Sequence, residues 1–180
     1  MKDRAILSLP VDVMHLPADA VTLATTTAER AALAEAYDLV AVDKLTAEAT
    51  LTHGPRGSVL VEGRVVADIT QTCVVSLVPV PAHIDEPFFF RFVRPGDLPE
   101  PRPGSEVVIE TDTPDPPEIL DGPTIDVGAL AEETFVLAID PYPRAPGAAL
   151  PDAMPDDDDR AKDSPFAVLA KLTKPGAGEG

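Results

Sequence analysis

The chain has 180 residues, 44% of them hydrophobic, with 21 Pro, 11 Gly and no Trp; that suffices for one domain with a core of Val, Leu, Ile and Ala, plus a tail. Its 14 basic and 31 acidic side chains give a formal net charge of -17, which sets most of the surface against nucleic acid and anionic membranes, because both attract cations. A single cysteine, Cys73, excludes an internal disulfide and a thiolate-rich metal centre.

The first residues carry no apolar run of secretory length, and no apolar stretch reaches the ~18 residues of a membrane span. A cytoplasmic protein that does not enter membranes is therefore expected. Residues 5–9 and 11–16 read as short strands broken by Pro10. Thr26 with Glu29 three residues later fits a capping box that opens a helix through Tyr37, with Ala32, Leu33, Ala36 and Tyr37 on its apolar face. From residue 39 to 52 the period changes to two: Leu45, Ala47, Ala49 and Leu51 alternate with Thr46, Glu48, Thr50 and Thr52, the mark of a strand with one wet face.

His53-Gly54-Pro55-Arg56-Gly57 is turn chemistry, and residues 58–73 form a second long strand, so the two make a hairpin. The stretch 74–80 continues or turns into a third strand, which Pro79 and Pro81 confine to an edge or a bend. Phe88, Phe90 and Phe92 share a face and anchor the core; an exposed aromatic platform is the weaker alternative. Residues 94–123 are mostly connection, with a short strand at 107–110. Asp126 caps a helix over 127–139 whose face of Leu130, Phe135, Val136, Leu137 and Ile139 lies across the sheet.

The fold class expected is α+β: an antiparallel sheet with a long hairpin, flanked by two or three helices, and an acidic irregular C-terminal segment. Residues 1–140 form the core, 141–163 an acidic Pro/Asp-rich linker, 164–173 a short docking helix and 174–180 a frayed tail. Ser164 and Pro165 open that last helix, and Phe166, Leu169 and Leu172 make its stripe. So short a helix needs a surface to dock on, in its own domain or in a partner.

Catalytic motifs are missing: there is no HExxH, Walker loop or GxSxG elbow. His53 falls in the hairpin turn, His15 and His83 in expected strands, and Cys73 in a Val-rich strand, where a small buried hydrophobe outweighs a nucleophile. Asp156 to Asp159 lack the glycine turn and spaced ligands of a calcium loop and read as solvated tail. Glu132 and Glu133 are adjacent on a helix and point to different sides, a poor acid/base pair.

Three stretches in order carry a resemblance. Gly63-Arg64-Val65 leads through Ile69-Thr70-Gln71-Thr72-Cys73 to Pro79-Val80; Ile125 to Glu133 is followed by Leu137-Ala138-Ile139 and Pro141 to Pro143; and Ser164-Pro165-Phe166-Ala167-Val168-Leu169-Ala170-Lys171-Leu172 ends the chain's patterned part. Over roughly residues 5–174 this resembles the YceD family, the large ribosomal RNA subunit accumulation proteins. The resemblance implies support of large-subunit ribosomal RNA accumulation; with catalytic motifs missing, a non-enzymatic ribosome-biogenesis factor without a cofactor is expected. Many members of that family carry Cys-x-x-Cys at the strand end and a further Cys after Pro-x-His. Here Ser76 stands at the second Cys position and Arg144 at the His, so no metal site is expected.

Charge and resemblance together point to a basic protein partner, a ribosomal protein or an assembly factor, drawn by the acidic surface and docked on Pro165, Phe166, Leu169 and Leu172. The alternative is direct RNA contact through Arg64, Arg91 and Arg94 near the Phe cluster, since screening shortens the reach of distant acids to about 8 Å. A hydrolase built on Cys73 is the third and weakest reading.

Overall fold

The computed structural model describes residues 5–97 and 116–149. Its strands are β1 (Pro10–Asp12), β2 (Val21–Ala24), β3 (Ala41–His53), β4 (Val59–Thr72), β5 (Pro79–Val93), β6 (Glu118–Ile119) and β7 (Thr124–Asp126), with helices α1 (Thr27–Ala36) and α2 (Val127–Ala138). All of them lie in a compact unit spanning residues 1–145; of a second unit, 146–180, only residues 146–149 are described.

Alternation builds the centre. Leu45, Ala47, Ala49 and Leu51 of β3 are buried beside Val59, Val61, Val65, Ala67 and Ile69 of β4, while Glu48, Thr50, Thr52, Glu62 and Arg64 are exposed. Antiparallel pairing runs from Ala41↔Thr70 to His53↔Val59, with a register shift between Val42 and Lys44. A bulge there explains why the period-two pattern starts cleanly only at Leu45. The turn between the strands is a single 3₁₀ turn, Pro55–Gly57, and holds Arg56 at φ 58°. His53, expected in the turn, is the last residue of β3.

The sheet order is β2-β3-β4-β5-β6. All neighbours are antiparallel except β5 and β6, which pair in parallel at Phe92↔Glu118 and Val93↔Ile119. The expected all-antiparallel sheet is therefore mixed, because β6 arrives after a long connection rather than a hairpin. β5 pairs β4 continuously from Thr72↔Pro79 to Val59↔Phe92. Pro79, Pro81 and Pro87 share one parity along it, so their missing N–H groups all fall on the edge away from β4. β6 covers that side only at Phe92 and Val93, and the prolines blunt the rest of it against foreign strands.

Phe88, Phe90 and Phe92 turn to the core face as expected, with ring centroids 6.0 and 6.5 Å apart along the row. Phe88 lies opposite Gly63. A Cβ on Gly63 would collide with the Phe88 ring and stand 2.5 Å from the Glu48 carbonyl oxygen, so the ring fills the space a side chain would need.

The two helices cover this face. α1 has the expected capping box: Thr26 accepts from the Glu29 N–H at 3.2 Å and the Glu29 carboxylate accepts from the Thr26 N–H at 2.7 Å. Its buried contact is Leu33, with Ala34 and Tyr37 packed beside it and Ala36 exposed. α2 starts at Asp126, whose carboxylate accepts from the N–H groups of Gly128 and Ala129. Val127, Ala131 and Phe135 follow at i, i+4 spacing and are buried. Leu137, expected on the apolar face, is 80% exposed: the helix buries one stripe, and residue 137 points about 200° away from Phe135 at 3.6 residues per turn.

The N-terminal segment departs most from expectation. Residues 5–9 are not a strand, and β1 ends at Asp12. Leu7 and Leu9 donate their N–H groups, each at 2.7 Å, to the carboxyls of Glu132 and Asp126, and Leu9 accepts from the Val127 N–H at 3.0 Å. The carboxyls of Asp126 and Glu132 and the Val127 N–H thus take the place of a partner strand over residues 7–9. Gly128 permits this approach, since a Cβ there would stand 2.6 Å from the Ser8 backbone. β1 is cut short because the Asp12 carboxylate accepts from Met14 N–H at 2.8 Å and from His15, a local turn that also removes His15 from any strand.

Replacing Gly63 by Val is expected to lower stability by ~1–3 kcal/mol through overpacking, read as a reduced urea midpoint with an unchanged slope.

Candidate functional site

Three places gather the side chains that sequence reasoning singled out. The first is the corner at the end of β4. Cys73 lies just past the strand, in the turn that leads to β5, rather than in a strand. Its thiol is fully buried, and its Sγ accepts from the N–H groups of Ser76 and Ala145, both at 3.3 Å. Residues 140–145 are tied to the same corner: Gln71 donates to the Asp140 carbonyl at 2.8 Å and Val74 N–H to the Pro143 carbonyl at 2.9 Å. Two of the three sequence stretches of the resemblance, at 63–80 and 125–143, therefore meet here in space.

The Ser76 hydroxyl first, then the N–H groups of Ala145 and Ser76, pull the Cys73 thiol from its usual value near 9 to about 6. The donors do not fit zinc, which takes four N, S or carboxylate ligands. The corner holds one thiol, with Ser76 and Arg144 close to it in the chain segments that meet there. Among the described residues no group of three His, Cys, Asp or Glu is placed to hold a metal. Around the corner Val74, Leu77 and Tyr142 are exposed, Leu77 in the left-handed region at φ 59°.

The second place is beneath the helices. Glu132 is buried, and its two carboxyl oxygens accept from the Leu7 N–H at 2.7 Å and the Tyr37 hydroxyl at 2.6 Å. Tyr37 meets Phe135 edge-on, with centroids 6.4 Å apart. Burial first, and the Glu132 contact second, raise the Tyr37 phenol to about 12. Glu133 beside it is exposed, so the two carboxylates diverge as adjacent helical positions should. Composition alone did not mark Glu132, and only its place on the stripe with Gly128 and Ala131 signals burial.

The third place is the sheet face turned away from the helices. It forms a shallow trough of about 680 Å³ lined by Glu48, Thr50, Glu62, Arg64, Pro87 and Phe89, over the backbone of Gly63. Phe89 is 59% exposed and sits opposite Glu62. Arg64 is hydrogen-bonded to Asp85 across the strands. Arg91 is exposed, two residues from Phe89 on the same face, and lines a second cleft beyond it with Leu60 and Glu118. Arg94 is exposed past the end of β5. His83 hydrogen-bonds Asp68 at 2.6 Å on this face. Pro165, Phe166, Leu169, Leu172, Asp156 to Asp159 and the strand expected at 107–110 lie outside the described residues. Among the described residues no helix is long and apolar enough to cross a membrane.

Residues 61–173 match the model of the family described as large ribosomal RNA subunit accumulation protein YceD. No curated protein and no solved structure matches the chain.

Two titrations follow. Because the Tyr37 phenol is held in its protonated form, its contribution to stability is complete below pH 10 and is lost as pH rises from 10 toward 12; Tyr37→Phe should remove that alkaline loss and the tyrosinate absorbance step near 12. Because the Cys73 pKa is depressed, its contribution is full above pH 9 and fades as pH falls through about 6; thiolate absorbance should titrate near 6 and vanish in Cys73→Ser.

Proposed function

Because this chain belongs to the YceD family of large ribosomal RNA subunit accumulation proteins, we propose that it supports large-subunit ribosomal RNA as a non-enzymatic factor that binds a basic protein partner, a ribosomal protein or an assembly factor. The family supplies the process. The observation that carries the mode is charge: a chain of formal net -17 attracts cationic polypeptides and speeds their encounter, whereas RNA gains affinity by meeting cations. The pairing of Arg64 with Asp85 supports this reading.

The chemistry on hand supports a binder rather than a catalyst. The one thiol is buried behind backbone N–H donors, and the buried carboxyl of Glu132 spends both oxygens on structural hydrogen bonds. The stripe of Pro165, Phe166, Leu169 and Leu172 is proposed as a second contact with the partner, docking as a helix in a groove. Direct RNA contact through Arg64, Arg91 and Arg94 is the other reading, favoured by the exposed Phe89 beside Arg91.

Affinity capture of the tagged full chain from cells, with and without ribonuclease, tests the proposal. Large-subunit ribosomal proteins or assembly factors retained after ribonuclease are expected. Loss of every protein on digestion, with bare RNA recovered before it, would overturn the protein-partner reading.

A further inference from the structure

We propose that the trough on the open sheet face is the seat of an arginine-bearing extended segment of the basic partner, with an arginine side chain stacked on Phe89 and paired with Glu62 and Glu48. This rests on the basic-partner reading and names the site for it. Phe89 is the one phenylalanine of the β5 row that points away from the core, and it is 59% exposed. An aromatic ring in that state offers its face to a cation, and guanidinium groups use such faces most often.

The charges next to the ring have the complementary sign. Glu62 sits directly across from Phe89, and Glu48 one strand further on, opposite Arg64. Arg64 is bonded to Asp85, so the cation in the trough is matched while Glu62 and Glu48 have no ion-pair partner among the described residues. The shape also fits. Gly63 and the ring of Phe88 on the far side leave the trough a backbone floor, and six lining side chains border about 680 Å³, room for a long side chain and the strand that carries it. The extended occupant lies across the face, because Pro79, Pro81 and Pro87 remove donors from the β5 edge where it would otherwise add as a strand.

The test uses the purified full chain and a short labelled peptide of alternating Arg and Gly, followed by fluorescence anisotropy at low and at physiological salt. Binding that weakens with salt is expected. Phe89→Ala should weaken it about twofold to fivefold, and the double variant Glu48→Gln with Glu62→Gln about threefold to tenfold, as for two exposed ion pairs. Glu35→Gln with Glu133→Gln changes net charge equally at exposed sites on the two helices and should leave affinity unchanged. Equal loss in both double variants would overturn the site while sparing the basic-partner reading. Binding of a short single-stranded RNA in place of the peptide would overturn both.

Discussion

A carboxyl group can sit inside a protein only when its oxygens are satisfied there. Glu132 meets that demand with two donors far apart in the chain, the Leu7 N–H and the Tyr37 hydroxyl. The N-terminal segment, the end of α1 and the middle of α2 are thereby fixed to one another, with Phe135 packed edge-on against Tyr37. Those three elements form the layer that covers the apolar face of β3 and β4. Remove either donor and a buried oxygen is left unpaired, at a cost of about 1–3 kcal/mol. The hydrophobic face of the hairpin needs a cover, and this hydrogen-bonded junction is what holds the cover in register.

The opposite face of the sheet answers to different physics. It has no helical layer among the described residues, so its side chains meet water. It carries threonines, carboxylates and a few cations in cross-strand pairs such as Arg64 with Asp85 and His83 with Asp68. Such exposed pairs add little stability, and they are free to serve recognition. Along most of β5 the side away from β4 is guarded by prolines, so added strands are disfavoured there.

At the end of β4 the family's sequence pattern acquires a structural meaning. The stretch ending at Cys73 and the stretch ending near Pro143 are about 70 residues apart in the chain, as their separation of 72 at the Cys73–Ala145 contact shows, yet they close on one another. Backbone N–H groups, with Ser76, occupy the sulfur there. The corner is held by hydrogen bonds from Gln71 and Val74, so its geometry stands on the protein's own donors.

The sequence by itself determined whatever depends on near neighbours: the Thr26–Glu29 capping box, the Asp126 cap, the alternating faces of β3 and β4, and the inward Phe88, Phe90 and Phe92. Each follows from a period or a local hydrogen bond a few residues long. The tertiary structure alone decided where residues 5–9 place their donors, which groups satisfy the Glu132 carboxyl, and that β6 joins β5 in parallel. These outcomes turn on partners roughly 25 to 125 positions away, and nothing in the local spacing of a segment encodes which distant group will satisfy its polar atoms or cover its apolar ones.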